Sequence, residues 1–376
     1  MKFVIILGSG RSGTELLQSL FDNHPQILQF PGILRFNQSF VNILDEKNPH
    51  EISQKFYDLY PRFFDSRIQD PLQPNVFMME RHHMLGKNKK SFYKVNRYIF
   101  EKNFIYYFNN SKKKKIDIII SLHKAYAKAA RQTLVNKKII ILDLHIIQYL
   151  KNFEKTFNKF NNFKILLTLR DPLVSLSSVV NHWLQFRSGK YLFAESIYDN
   201  IKTHIDTFNY LHKFRKKVFV VQLENLHLKS NKVLKDLCKL LKINFRISLK
   251  KSTYFNKIWW GDQISKKFLN GLNPKFKNNF DKRIFFKKDI TIIEAKIKNI
   301  LINYNYPIRS NSQIKNKYIA LLPFKFELIV WYNSFKIRDF KKLLLIPFYL
   351  IRRQMVFFRK NLYDKNKLPY SVGTKN

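Results

Sequence analysis

Residues 3–14, FVIILGSGRSGT, decide the fold that this sequence predicts. The uninterrupted apolar run from Phe3 to Leu7 is typical of a buried strand at the centre of a parallel sheet. A glycine-rich loop follows, and leucines at helical spacing between Thr14 and Phe21 predict a helix. A strand, a glycine loop and a helix form the opening of an α/β unit, in which the loop binds the phosphate end of a nucleotide through its backbone amides.

Three further apolar runs predict strands, and each of them is followed by a helix-like segment. The strands are predicted at 138–142, 164–169 and 218–223, and the helices at 146–160, 172–183 and 231–241. Strands that alternate with helices in this way indicate an α/β fold with a doubly wound parallel sheet.

Residues 31–137 contain no strong strand pattern and predict helices and loops inserted between the first two of these strands. Since insertions at the carboxyl end of such a sheet commonly build the substrate site, we expect this helical insert on the substrate side. From residue 311 the sequence becomes a series of aromatic and basic segments. The expected organisation is therefore one α/β domain at 1–310 and a C-terminal helical appendage at 311–376.

The net charge of +43 is extreme, with 69 lysines and arginines against 26 aspartates and glutamates. The lysines are spread through every segment, which favours a compositional bias over a nucleic-acid footprint and makes nucleic acid an unexpected partner. A basic surface still attracts anionic nucleotides, acidic glycans and lipid headgroups, so a functional part for the charge stays open. The single cysteine, Cys238, excludes an internal disulfide and suits a reducing compartment.

The sequence shows no secretory signal, and its N-terminal apolar run is too short for a membrane anchor. The most apolar C-terminal stretch, Leu343 to Ile351, is interrupted by Pro347 and bounded by lysines and arginines. Such a stretch cannot span a bilayer, although it can lie on one. We therefore expect a cytoplasmic protein whose C-terminal segment is able to contact the inner surface of the membrane.

The glycine loop departs from the two commonest nucleotide-binding patterns. Residues 8–13 match the dinucleotide fingerprint G-x-G-x-x-G, but residues 26–37 supply neither the acidic residue nor a clean strand that this motif requires. Gly8 and Gly13 have the spacing of a P-loop, but Thr14 stands where the phosphate-binding lysine belongs. An ordinary kinase or nucleoside triphosphatase is therefore not expected.

The loop carries its own cation at Arg11. Amides of Ser12, Gly13 and Thr14 would bind one phosphate, and the Arg11 guanidinium could bind a second anionic group on the same ligand. This arrangement suits a ligand with two linked anionic groups.

The run GSGRSGTELLQSLFDNHP, residues 8–25, resembles the 5′-phosphosulfate loop of the sulfotransferases that use 3′-phosphoadenosine 5′-phosphosulfate (PAPS). The bacterial and carbohydrate-type members of that family are the most similar. The resemblance implies a P-loop-like sulfotransferase fold with PAPS as the donor. It also implies donor contacts from the loop residues Gly10, Arg11, Ser12, Gly13, Thr14 and Glu15.

A second element, LLTLRDP at 166–172, resembles the family's 3′-phosphate site, in which a serine follows the arginine by eight residues. Arg170 and Ser178 fit this pattern in type and spacing, so the resemblance implies that both bind the 3′-phosphate. Pro172 suits the first turn of a helix after the strand.

Weaker similarities continue at 220–226, which includes Glu224, and at 290–306, which is a last helix with a tyrosine-rich end. The segment 252–262 resembles the loop that closes over the 3′-phosphate and adenine, and it makes Lys257 a donor-binding candidate. The resemblance covers about residues 1–40 and 138–308, and it leaves out most of the insert and the C-terminal segment.

Sulfuryl transfer is an in-line displacement through a loose transition state, so it needs a cation on the leaving group and a base for the acceptor. Arg11 is the candidate cation. His145 is the leading candidate base because it follows a predicted strand, although the family's K-x-H motif is here Asp143-Leu144-His145. Glu80 is the second candidate base. His82 and His83 are adjacent and rarely share one metal, so we expect no metal site.

The sequence therefore predicts a PAPS-dependent sulfotransferase that acts on a hydroxyl of a glycan, a glycolipid or another small acceptor, with the insert on the acceptor side. Two alternatives stay open, a nucleotide-dependent phosphoryl transferase that uses the same loop and a non-catalytic basic protein that binds membrane or nucleic acid. The identity of the acceptor and the oligomeric state are not predicted.

Overall fold

The computed structural model describes residues 1–9, 11–68, 80–158, 160–185, 194–262, 268–310, 322–336, 344, 347–348, 350–351 and 369–373. Within these residues, the side chains of 182–185, 194–200, 330 and 334 are not described. No helix in these ranges is both long and apolar enough to cross a membrane.

Six parallel strands form the central sheet of the molecule. They are β1 (Lys2–Gly8), β2 (Ile27–Gln29), β3 (Ile139–His145), β4 (Phe163–Leu169), β5 (Val218–Gln222) and β8 (Tyr370–Ser371). Their order across the sheet is β2-β3-β1-β4-β5-β8. A separate antiparallel hairpin pairs β6 (Thr253–Tyr254) with β7 (Lys257–Ile258). The predicted α/β parallel sheet is therefore confirmed.

Both faces of β1 are buried, as its continuous apolar sequence predicts. Phe3, Ile5 and Leu7 belong to one hydrophobic cluster, and Val4 and Ile6 belong to another on the opposite face. Alternate side chains of a strand point to opposite faces of the sheet, so each face needs its own layer of helices. This arrangement is the doubly wound architecture.

The helices fall into an inserted group and a group that covers the sheet. The insert contains α2 (Gln38–Asp45), α3 (Pro49–Leu59), α4 (Pro61–Phe64), α5 (Arg97–Asn109) and α6 (Lys115–Ala129). The others are α1 (Thr14–Leu20), α7 (Ile147–Thr156), α8 (Pro172–Gln185), α9 (Ala194–Leu211), α10 (Leu223–Leu228), α11 (Ser230–Leu241), α12 (Lys287–Asn303) and α13 (Lys325–Lys336).

Within the insert, α2, α3 and α5 begin at asparagine caps, and phenylalanine rings join the helices. The side chains of Asn37, Asn48 and Asn96 accept hydrogen bonds from the first-turn amides of α2, α3 and α5. Phe56 of α3 stacks on Phe100 of α5 with ring centroids 5.9 Å apart. This aromatic packing continues into the cluster that covers the sheet, so the insert is a rigid part of the domain.

The sheet changes winding direction between β1 and β4. The chain leaves β1 through α1 toward β2 and β3, and it leaves β4 through α8 toward β5 on the other side. In open α/β sheets, ligands bind in the crevice that opens at the carboxyl ends of the strands at such a point. Gly8 and Thr168 are paired there, so the glycine loop and the segment after β4 meet at this crevice.

Two edge strands were not predicted from the sequence. β2 has three residues inside the region 26–37, where the sequence shows no clean strand, and it is too short for a visible period. β8 pairs with β5 and lies inside the segment predicted as a C-terminal appendage. Phe324 and Phe326 of that segment are also buried in the main core. A boundary at residue 310 between the domain and an appendage would separate segments that pack in one core.

We predict that the C-terminal strand contributes to global stability. Val372, which directly follows β8, is 2% exposed and packs in the core, whereas Tyr370 of β8 is 44% exposed. Val372→Asp should lower the free energy of unfolding by roughly 3 kcal/mol because it buries a charge without a partner. Tyr370→Asp should change it by less than about 1 kcal/mol. Urea denaturation measures both, and equal effects would contradict the docking of this strand.

Candidate active site

Two glycines fix the shape of the loop after β1. A side chain at Gly8 would place Cβ 2.6 Å from Thr14 Cγ2, and one at Gly13 would place it 2.7 Å from Leu223 Cδ1. Gly13 also has a φ of +88°, which disfavours other residues. The hydroxyls of Ser12 and Thr168 hydrogen bond at 2.9 Å and join the loop to β4. Gly10 lies outside the described residues.

Arg11 projects from this loop and is held by an acidic residue. Its Nη2 donates a hydrogen bond to Asp262 Oδ2 at 2.8 Å, and both side chains are about one-quarter exposed. Asp262 follows the β6–β7 hairpin and ends the segment 252–262, which the sequence makes a candidate for donor binding. An anionic ligand in the loop would compete with Asp262 for the guanidinium.

His145 ends β3 beside the loop in an uncommon backbone conformation, with a φ of +60°. Its backbone N–H donates to Asp143 Oδ1 at 3.0 Å, and its ring Nδ1 hydrogen bonds with Thr14 Oγ1 at 2.8 Å. Burial, followed by the charges of Arg11 and Arg35, lowers the pKa of His145 to about 4. The imidazole is therefore neutral at pH 7. Its Nε2 has no hydrogen bond in the part of the chain that the structure describes.

Arg170 follows β4 at the other side of the crevice. Its Nε donates to Asn278 Oδ1 at 3.4 Å, and its guanidinium carbon lies 5.9 Å from the centre of the Phe276 ring. Burial lowers the pKa of Arg170, the Glu224 carboxylate opposes this shift, and the positive charge of Arg11 adds to it. Two guanidinium groups close enough to oppose each other form a site suited to a ligand with several negative charges. Ser178 is partly exposed two turns along α8.

Glu224 fastens the segment that carries Arg170. Its carboxylate accepts hydrogen bonds from the Asp171 amide at 2.9 Å, Asn278 Nδ2 at 2.6 Å and the Tyr306 hydroxyl at 3.1 Å. Asp171 Oδ1 in turn accepts from the Leu173 amide at 3.0 Å and so caps α8. The two weak sequence similarities at 220–226 and 290–306 therefore meet at one carboxylate.

A cavity next to this site is lined entirely by residues of the insert. Its lining consists of Pro31, Gly32, Ile33, Arg35, Tyr60, Pro61, Arg62, Phe63, Glu80 and His82. Glu80 forms an ion pair with the Arg62 guanidinium, with Oε2 and Nη1 2.7 Å apart, and both side chains are largely buried. The cavity is near His145, since Arg35 is close enough to lower the histidine pKa.

Glu15, Glu80 and His82 bring potential metal-ligand atoms within 4.8 Å of one another. Burial first, and the negative charge of Glu80 second, raise the pKa of Glu15 well above its usual value. The Arg62 guanidinium already supplies positive charge to Glu80, which opposes the binding of a metal cation. Glu15 therefore lies in the first turn after the loop and also close to Glu80 and His82 of the cavity lining.

The structure places Lys257 on β7, where its ammonium group donates to the carbonyl of Phe92 in the insert. The hairpin is also tied to the insert by Trp259 and Trp260, whose indole N–H groups donate to the carbonyls of Glu80 and Gly86 at 2.7 Å. A donor-binding part for Lys257 stays a prediction. Sequence reasoning missed Asn278 and Arg62 and did not identify Asp262 as the partner of Arg11, because single polar residues carry no recognisable spacing.

We predict that His145 makes stability depend on acid pH. Between its unfolded pKa of 6.5 and its folded value of about 4, the unfolded chain binds a proton that the folded chain does not, so stability falls as pH falls. From pH 7 to pH 5 the wild type should lose about 2 kcal/mol more than His145→Asn, whose asparagine tolerates a positive φ. Urea unfolding at both pH values measures this. His50→Asn, at an exposed position, should follow the wild type. Equal losses in the wild type and His145→Asn would contradict the prediction.

Known proteins similar to this chain are sulfotransferases. The family model described as "Sulfotransferase family" matches residues 4–246. Similar solved structures include the sulfotransferase domain of the Synechococcus PCC 7002 olefin synthase, with 17% identity and a TM-score of 0.37 over 70% of this chain and 79% of that one. The sulfotransferase domain from the curacin biosynthetic pathway has 16% identity and a TM-score of 0.37 over 82% of this chain and 93% of that one. Sulfotransferase STF9 from Mycobacterium avium has 11% identity and a TM-score of 0.38 over 82% and 78%.

No curated protein sequence matches the chain significantly. The family model, however, spans well over half of the 376 residues and includes the glycine loop, β3 and the segment after β4. The chain therefore belongs to the sulfotransferase family.

Proposed function

We propose that the protein transfers a sulfuryl group from PAPS to a hydroxyl group of a glycan, a glycolipid or another small acceptor. The observation that carries this proposal is the placement of Arg11 and Arg170 just after the paired strands β1 and β4, in a chain of the sulfotransferase family. The residues that the sequence patterns select for the two ends of the donor lie after neighbouring strands.

The geometry of the donor suits this crevice. PAPS carries its 3′-phosphate and its 5′-phosphosulfate on one ribose, and neighbouring strands lie about 5 Å apart, so a single nucleotide can reach both strand ends. The amides of Ser12, Gly13 and Thr14 would hold the 5′ end together with Arg11. Arg170 and the hydroxyl of Ser178 would hold the 3′-phosphate.

The transfer step is a displacement at sulfur. The acceptor oxygen forms a bond to sulfur while the bond from sulfur to the 5′-phosphate oxygen breaks, and its electron pair stays on that phosphate. Arg11 would stabilise this charge after exchanging Asp262 for the ligand. With Nδ1–H donated to Thr14, the neutral His145 would take the acceptor proton on Nε2.

The cavity of the insert is the proposed acceptor site. Its aromatic side chains Tyr60 and Phe63 and its buried polar groups are of the kind that contact a small hydroxyl-bearing molecule, but the cavity of about 20 Å³ would have to widen to admit one. Glu80 lies in this cavity but is engaged by Arg62. We therefore assign proton removal to His145 and acceptor binding to Glu80.

Donor binding tests the two cation sites separately from chemistry. Calorimetric titration with adenosine 3′,5′-bisphosphate should give micromolar binding, which Arg170→Ala weakens roughly 30-fold and Ser178→Ala roughly tenfold, because charged hydrogen bonds to phosphate are the stronger ones. Arg246→Ala, at an exposed arginine, should bind like the wild type. ATP binding of equal affinity would instead favour a phosphoryl transferase.

Transfer from sulfur-labelled PAPS to a panel of glycans and lipids tests the chemistry. Arg11→Ala should abolish detectable transfer, and His145→Asn should lower kcat roughly 10²- to 10⁴-fold with adenosine 3′,5′-bisphosphate binding unchanged. Glu80→Gln should mainly raise the acceptor KM. If Glu80→Gln instead removes kcat while His145→Asn preserves it, the assignment of the base to His145 is wrong.

A further inference from the structure

The outer face of α13 carries a stripe of exposed apolar side chains. Leu328, Tyr332 and Phe335 are 41%, 67% and 63% exposed, and their spacing of four and three residues places them on one side of the helix. Large side chains on a folded surface are ordinary when scattered, but a continuous stripe marks an interaction surface.

The inner side of α13 is fastened to the core, so this stripe is held outward. Phe324 and Phe326 are fully buried against the sheet's main cluster. The Lys325 amide donates to Asp289 Oδ2 at 2.8 Å, and the Phe324 amide donates to Glu327 Oε2 at 2.7 Å. Turning the stripe inward would break these contacts.

Around α13, the acidic side chains are buried and basic side chains are exposed. Asp289 and Glu327 are fully buried, whereas Lys287 and Lys336 are exposed. The ring of Phe286 lies beneath two ammonium groups, those of Lys288 at 5.5 Å and Lys325 at 5.6 Å. We call Phe286, Lys287, Lys288, Lys325, Leu328, Tyr332, Phe335 and Lys336 the basic–aromatic patch.

The same spacing recurs further along the chain. Leu344, Phe348 and Ile351 are exposed helical residues, again four and three residues apart. In the sequence they lie between Lys341-Lys342 and Arg352-Arg353. Apolar side chains bordered by lysines and arginines therefore occur twice in the C-terminal segment.

We propose that the basic–aromatic patch binds the surface of a bilayer that contains anionic lipids. Lysines would lie among the negative headgroups while Leu328, Tyr332 and Phe335 enter the boundary of the acyl chains, which is how interfacial helices bind. A second copy of the chain is a poor occupant, because two molecules of charge +43 repel each other. A nucleic acid would match the lysines but leave the apolar stripe uncovered. The proposal is independent of the transfer reaction.

Vesicle sedimentation of the full chain tests the proposal without any nucleotide. The wild type should sediment with vesicles of equal parts phosphatidylcholine and phosphatidylglycerol, and far less with phosphatidylcholine alone. Combined Leu328→Ser, Tyr332→Ser and Phe335→Ser should lower partitioning to the anionic vesicles roughly tenfold. Combined Tyr98→Ser, Tyr106→Ser and Val135→Ser, at comparably exposed positions elsewhere, should leave it unchanged.

A charge variant guards against loss of folding in the triple serine variant. Lys287→Gln with Lys336→Gln, at exposed positions, should weaken binding several-fold, whereas Lys112→Gln with Lys128→Gln should not. Wild-type protein that stays in the supernatant, or patch and control variants that behave alike, would overturn the proposal. So would a dimer, or a complex with duplex DNA, whose formation depends on the three apolar side chains.

Discussion

The placement of two arginines after neighbouring strands, Arg11 after β1 and Arg170 after β4, is the constraint on which the candidate site depends. Burial of its charge is the largest cost at Arg170, the Glu224 carboxylate opposes that cost, and the positive charge of Arg11 adds a smaller one. The fold offsets these costs with carboxylates on either side. Asp262 pairs with Arg11, and Glu224 holds the segment of Arg170 through the Asp171 amide and Asn278. A multiply charged anion between the arginines offsets the same costs, so the site is built to favour such a ligand.

The scarce acidic residues are placed where they organise the molecule. Asp171, Asp289, Glu294 and Glu327 are almost fully buried. Asp171 and Glu327 accept backbone amides at the starts of α8 and α13, and Glu294 and Asp289 accept the amides of Arg309 and Lys325 from other segments. Buried carboxylates with several donors tie segments together more firmly than exposed ion pairs do. Because these acids face inward, the excess of lysine and arginine is left on the outside. Around α13, the part of the +43 net charge that reaches the surface is therefore carried by exposed lysines, whatever the origin of the composition.

The sequence predicted those parts of the fold that a local pattern can carry. Continuous apolar runs identified β1, β3, β4 and β5. Arg11 and His145 became candidates from their places after strands, and the resemblance to the sulfotransferases implied Arg170 and Ser178. β2 and β8 have three and two residues, so they owe their existence to neighbours in the sheet rather than to periodicity. The partners Asp262, Arg62 and Asn278 come from distant parts of the sequence. Only the folded chain brings them to the arginines and carboxylates that they contact.

On the proposed function, Arg11 couples donor binding to the base. Burial is the main cause of the lowered pKa of His145, and the charge of Arg11 lowers it further. Once the negatively charged donor takes the guanidinium, that charge is compensated and the proton affinity of His145 increases. On the proposed function, an anionic donor on Arg11 therefore makes the base stronger, and Thr14 keeps the same imidazole aligned through Nδ1. One arginine in the loop thus links donor binding to the base.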